Sequence, residues 1–311
     1  MHRLPAKRAT PCFAATIALL AAGFFFGIVA LPSDSRLSFL PRLQSGQSLS
    51  YEVHGRLDRK VKAESRVASA AQGPQSLQGD LANQILLTIR EVRPAKPRPL
   101  VSVQANLLPA EGTPNPRATI PVSKLAFDIL GDGQLGRVAG LDDLSPEQRL
   151  LWQFWVARFA FAWTLPPSPV KPGAKWKLEE PELSDSLVAG LVWDREITYA
   201  QNDACPVVPA DTCAVFLIQS SLKQKSSSKD STPDDYRLHG LKTYGTAKGV
   251  NQVITYISLK TGLVLRANED VRQTMDVTVM KADGTNGVHY TIDANSHFET
   301  LFVAPNASPA R

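Results

Sequence analysis

His297, Glu299 and Asp293 alternate along one stretch of this chain, so a β-strand there would put all three side chains on one face. An imidazole with two carboxylates is a general acid–base set, and it would do chemistry only with a nucleophile in the same cleft. The sequence offers no G-x-S-x-G, no H-E-x-x-H, no P-loop and no strand-linked G-x-G-x-x-G. Gly131–Gly136 spells GDGQLG, which a tight hairpin turn explains better than a phosphate loop. His54, His239 and His289 are spread over polar alternations, and the acid pairs Asp142–Asp143 and Glu179–Glu180 read as solvated turns or strand ends. These residues predict a non-enzymatic protein with no cofactor and no metal site.

Cys205 and Cys213 flank the loop NDACPVVPADTCAVF, with Pro206 and Pro209 between them and apolar strand-like runs on either side. Two thiols without a nearby histidine make half a zinc site at best. In an oxidising compartment the pair closes a disulfide across the base of a long hairpin loop. Cys12, the remaining cysteine, lies at the start of an apolar run rather than at its end, where a lipoprotein signal would need it.

The third candidate is aromatic. Ser145-Pro146-Glu147-Gln148 is a helix start, with a serine cap, proline in the first turn and glutamine three residues after the cap. Leu151, Phe154, Trp155, Phe159 and their neighbours follow at helical spacing to residue 163, and Pro166-Pro167 ends the run. A helix this rich in aromatics must be covered, as core against a sheet or by a membrane surface or a partner, and with the long strands it can enclose an apolar cavity. Leu151, Phe154, Trp155 and Phe159 are therefore the candidate ligand-binding residues, for a lipid or a lipoprotein acyl chain.

The rest of the chain is strand-like. Leu49, Tyr51, Val53, Gly55 and Leu57 alternate with polar residues over 48–58. Similar patterns fill 83–92, 100–107, 120–129, 134–138, 176–179, 186–200, 212–222, 238–247, 251–259, 263–280 and 288–302, and 224–235 reads as a solvated loop. The predicted class is mainly β: long antiparallel strands forming one or more curved sheets or half-barrels, in two related halves or not, with one central aromatic-rich helix. The two halves of the chain are also alike. SGQSLSYE at 45–52 matches PGAKWKLE at 172–179, and Phe127-Asp128-Ile129 with Gly133, Leu135 and Arg137 matches Ile254-Thr255-Tyr256 with Gly262, Leu263 and Arg266. A first β half over 45–165, ending in the helix 146–163, and a second over 166–303 with a tail at 304–311 follow from this.

These openings and closings, over residues 45–302, resemble those of bacterial exported curved-sheet proteins of the LolA/LolB and LppX-like type. They also resemble exported β families whose strands open on "pGxxW", here Pro172–Trp176. The resemblance implies a half-barrel that carries a lipid or an acyl chain.

Address comes from the N-terminus. Arg3, Lys7 and Arg8 stand in residues 1–11 without an acidic residue, and 12–31 carry no charge. Such a run rises about 30 Å as a helix, one hydrocarbon core, with its basic side retained in the cytoplasm. The segment is a single-pass anchor of the cytoplasmic membrane or a cleaved signal, followed by a linker over 32–44. Either way residues 33–311 lie outside the cytoplasm, in the periplasm or secreted. The net charge of +5 does not argue for nucleic acid: without the three leader residues it falls to 31 basic against 29 acidic, and these are scattered. The expected partners are the membrane through residues 12–31, a hydrophobic ligand, or, in an alternative reading, another envelope protein.

Overall fold

A computed structural model describes residues 36–65, 75–109, 122–182 and 186–304. The leader at 12–31 lies outside the described residues. Among those described, no helix is long and apolar enough to cross a membrane, which says nothing of strands.

Among the described residues, alternation of apolar and polar residues produces eleven antiparallel strands: β1 (Ser48–Ser65), β2 (Gln75–Arg93), β3 (Leu100–Pro109), β4 (Val122–Ile129), β5 (Leu135–Ala139), β6 (Lys175–Pro181), β7 (Leu191–Ala204), β8 (Thr212–Gln224), β9 (Leu241–Ser258), β10 (Val264–Lys281) and β11 (Val288–Val303). They form one sheet in the order β5-β4-β3-β2-β1-β11-β10-β9-β8-β7-β6. The long antiparallel strands expected of both halves thus belong to one sheet. β1 and β11 pair along sixteen residues at the centre, from Ser50↔Val303 to Ser65↔Val288, and fuse the halves. β5 and β6 are the edges among the described residues, and the sheet is not closed.

Between the edges runs α1 (Pro146–Thr164), preceded by a single 3-10 turn at Leu141–Asp143. Its start is the predicted capping box: Ser145 accepts from the Gln148 amide while Gln148 Oε1 accepts from the Ser145 amide. At the other end the buried Arg98 guanidinium donates to the carbonyls of Trp163 and Leu165, which have no partner within the helix. Burial pulls the Arg98 pKa down to about 10. Apolar residues surround the helix on nearly every side, the pattern of an enclosed element.

The sheet must bend to enclose it. Phe127 of β4 meets Trp152 and Trp155, while Phe216 of β8 meets Phe161. Seven strand steps separate β4 from β8, roughly 34 Å in a flat sheet, against a helix only about 10–12 Å across. At the centre β1 approaches closely through Gly55, where a Cβ would lie 2.7 Å from Phe298 and 3.0 Å from Leu151. Phe39, on the segment before β1, closes the core against Tyr199 and Phe216.

The strand openings are built alike in the two halves. Gly46 and Gly173 both have left-handed φ, 83° and 89°. The Gly46 amide donates to Ile89 O at 2.7 Å and the Gly173 amide to Tyr199 O at 2.7 Å. Gln47 and Ala174 then donate back to the residues three earlier, at 3.1 and 3.0 Å.

Several expected boundaries move. Leu238–Ala247 and Asn251–Leu259 are one strand, β9, rather than two. The stretch 224–235 is anchored rather than solvated: Ser231 and Thr232 are buried, Ser231 N donates to Thr243 O at 3.0 Å, and Asp234–Leu238 form a short helix, α2. Cys205 and Cys213 form a disulfide across the β7–β8 loop.

Candidate functional site

Of the four predicted ligand-binding residues, Leu151, Trp155 and Phe159 sit in the packed core. Trp155 stacks on Phe159 with centroids 5.2 Å apart, and both meet Tyr51 edge-on. Phe154 stacks on Phe298 and reaches the wall of a cleft beside the helix. That cleft, of about 140 Å³, is not the purely apolar cavity the sequence suggested, because charged and amide side chains share its walls with Phe154, Trp193 and Val271.

Strand register explains how it forms. Inward positions of adjacent strands line up across the sheet as Arg195 (β7), Ser220 (β8), Asn251 (β9), Val271 (β10) and Ser296 (β11). One row along stands Glu269, and one row back Gln273. Apart from Val271 the row is polar, whereas in the adjacent rows only Glu269 and Gln273 are. Arg158, on α1, comes down onto it.

Two ion pairs anchor the wall. Arg158 Nε lies 3.3 Å from Glu269 Oε2, with both side chains 4 % exposed. Arg195 Nε lies 2.7 Å from Glu180 Oε2 on the edge strand β6. Asn251 Nδ2 donates to Glu269 Oε1 at 2.5 Å. At the rim, Trp193 Nε1 and Gln273 Nε2 both donate to Glu182 Oε2, at 2.6 and 3.1 Å. Burial lowers the Arg195 pKa, and the charge of Arg158 adds to this, while Glu180 and Glu269 oppose it.

Hydrogen bonding here is incomplete. Arg158 Nη1 and Arg195 Nη1, with Glu269 Oε2 and Asn251 Oδ1, have no hydrogen-bond partner among the described residues. Buried polar atoms are almost always paired, because leaving one unpaired costs roughly 1–3 kcal/mol. A buried ion pair is itself weak evidence for stability, since desolvation offsets its attraction. A cluster of this kind facing a cleft is a site candidate.

The histidine–carboxylate trio stays apart. His297, Glu299 and Asp293 share the outward face, but each faces a neighbouring strand rather than a common centre. His297 Nδ1 lies 2.9 Å from Asp270 and Glu299 Oε1 lies 2.7 Å from Arg266, while Asp293 stands opposite Thr274 and Lys60. Of the acid pairs, Glu180 is drawn into the cleft, and Glu179 pairs with Lys225 at 2.6 Å. No group of three or more metal-ligating side chains occurs among the described residues. The reading from sequence passed over Arg195, Asn251 and Glu269 as site residues. Their signal was parity: Trp193, Ile197 and Tyr199 mark the inward face of β7, and Arg195 falls among them.

No family model matches the chain, and no curated protein matches it. Solved structures that resemble it include the outer membrane protein OprG from Pseudomonas aeruginosa, at 6% identity and a TM-score of 0.19, covering 85% of this chain and 100% of that one. OccK11 (OpdR) of the same organism follows at 8% identity and a TM-score of 0.18, with coverage of 85% and 100%. OccK7 (OpdD) has 6% identity and a TM-score of 0.12, with coverage of 83% and 99%. Likenesses this weak carry no argument about fold or role. They do not point to LolA/LolB or LppX-like carriers, and that resemblance is withdrawn.

The sheet itself differs from a lipid-embedded barrel, whose outer face is an apolar band over a polar lumen. Here the enclosed face is aromatic. The outer face of β1, β11 and β10 carries His54, Arg56, His297, Glu299, Asp270 and Arg272.

Proposed function

We propose that this chain is a non-enzymatic binding module of the cell envelope, exported through residues 12–31, that holds a small polar ligand in the cleft between α1 and strands β6, β7, β9 and β10. The observation that carries this is the pair of arginines, Arg158 and Arg195, buried by more than nine-tenths with N–H groups unpartnered at a cleft wall. An acyl chain finds no comparable space, since Leu151, Trp155 and Phe159 are packed against one another and against Tyr51.

The alternative, an interaction protein without a small ligand, rests on a different face. Leu217 of β8 and Ile254 of β9 are cross-strand partners exposed on the outside, with Val250 nearby. Three residues make a small patch, and single exposed apolar residues need no explanation. The cleft is the stronger feature.

Native mass spectrometry of the chain made with its own leader tests the proposal. The expected result is a retained small polar ligand in the wild type, lost in Arg195→Met and Gln273→Met. A bare mass, together with a high-resolution structure showing only water in the cleft, overturns it.

A further inference from the structure

We infer that the ligand of this cleft, granted the binding reading above, is a neutral polyhydroxylated molecule about one sugar ring in size. Charge is the first ground. Arg158 and Arg195 are already faced by Glu180, Glu182 and Glu269, so a carboxylate or phosphate would enter a site whose acids outnumber its bases. A cation gains from that excess of acid but must lie beside two buried guanidinium groups whose free N–H donors it cannot satisfy. A neutral ligand meets neither penalty.

Hydrogen-bond polarity is the second ground. The atoms without partners are of both kinds: Arg158 Nη1 and Arg195 Nη1 are donors, Glu269 Oε2 and Asn251 Oδ1 are acceptors. A carboxylate or phosphate offers acceptors alone and would leave Glu269 Oε2 and Asn251 Oδ1 without a hydrogen-bond donor. An ammonium offers donors alone and would leave both arginines unpaired. A hydroxyl donates and accepts at once, and vicinal hydroxyls on a ring present several such groups in a fixed array. A site built this way discriminates strongly against analogues lacking the hydroxyl, because its own buried groups are then left unpaired.

Size and shape agree. An enclosed water needs about 10–15 Å³, so the 140 Å³ cleft holds roughly ten water positions, close to the heavy-atom count of a single hexose. Trp193 and Phe154 contribute apolar wall, which suits the C–H face of a ring whose edge is polar. The ring is either a free sugar or polyol or the terminal unit of a longer glycan, and the cleft is open on one side to either.

The test uses the full chain in a zwitterionic detergent, since glucoside detergents would compete. Glucose, N-acetylglucosamine and myo-inositol are titrated while the Trp193 indole N–H is followed by NMR, with Trp193→Phe as the assignment control. A neutral disaccharide distinguishes a glycan terminus from a free sugar by binding at least as tightly as its monosaccharide. Glucose 6-phosphate and glucuronate are the anionic probes, and glucosamine the cationic one. The expected result is binding of at least one neutral probe, weakened tenfold or more in Asn251→Leu and in Gln273→Met. Gln273 stands at the half-buried rim, so its variant keeps the test meaningful if Asn251→Leu does not fold. Binding of charged probes alone would overturn the neutral-sugar inference and leave the binding reading standing. No perturbation by any probe, in wild type and variants alike, would overturn both.

Discussion

Arg158 and Glu269 show what a buried charge demands of its neighbours. Each is almost wholly removed from water, and each is tolerated because the other is 3.3 Å away. Arg158→Met leaves Glu269 uncompensated and is expected to lower unfolding stability by about 3–5 kcal/mol. Adding Glu269→Gln should recover much of that loss, and a double-mutant cycle by urea denaturation measures the recovery. Asp128 makes a separate point at the other end of the sheet. Burial pushes its carboxyl up, but the Ser102 hydroxyl and the Arg137 guanidinium bond to it, and the charges of Arg137 and Arg93 add to that. The result lies below the usual aspartate value. A depressed folded pKa stabilises the protein above the unfolded value near 3.9, and that contribution is lost as pH falls through the folded one. Asp128→Asn is therefore expected to be less stable than wild type at pH 7, with the gap narrowing by pH 3. Urea midpoints at the two values decide this, and an unchanged gap would remove the linkage. The cleft was legible only as broken parity. Glu269 lies between the inward Ala267 and Val271 much as Arg195 lies between Trp193 and Ile197, yet no pattern along one strand shows that the two meet. Register across β7, β8, β9 and β10 brings them together, and register is a long-range property.

The helix α1 owes its position to groups outside itself as much as to its own sequence. Its N-terminus was readable from Ser145, Pro146 and Gln148, because capping is local and depends on residues within one turn. Ser145→Ala should cost about 1 kcal/mol in thermal or urea unfolding. Its C-terminus was not readable beyond the stop at Pro166-Pro167, since the group that satisfies the carbonyls of Trp163 and Leu165 is Arg98, on the loop between β2 and β3. Arg98→Met leaves those carbonyls buried and unpaired, with an expected loss of about 2–3 kcal/mol, and an effect no larger than that of Ser145→Ala would show that Arg98 is dispensable. The strands repeat the contrast. Alternation located most of them, because period two is local. The expected strands at 238–247 and 251–259 left a gap that includes Gly249, whereas β9 runs through it. A Cβ there would lie 3.0 Å from the Arg272 carbonyl and 3.1 Å from Trp193 Cη2, so glycine is needed for close packing inside the strand rather than for a turn. The stretch after β8 looked solvated from its serines, yet the Thr232 hydroxyl accepts from the Thr243 amide and fastens the loop to β9.

Across the entire chain the informative feature is where the ends of the folded region meet. β1 and β11 are farthest apart in sequence and adjacent at the centre of the sheet, with the edges left to β5 and β6. Similar strand openings at Gly46 and Gly173 suggest two units, but the pairing makes one cooperative body: each half uses the other's strand to cover its inner edge. The disulfide is peripheral to this. It closes a nine-residue loop, worth about 2.6 kcal/mol in the chain-entropy model, and its reduction should lower the melting temperature while leaving a single transition. Removing β11 acts differently. A chain ending at Gly287 exposes the full lengths of β1 and β10 as new edges, deletes Phe298 from its stack on Phe154, and empties the space Gly55 keeps for that ring. Loop-closure entropy between the halves is then no longer offset by sixteen residues of pairing. The expected outcome is loss of the cooperative melt and red-shifted tryptophan emission, rather than a modestly lower midpoint. If the shortened chain instead melts in two steps with buried-tryptophan emission retained, the halves are independent domains.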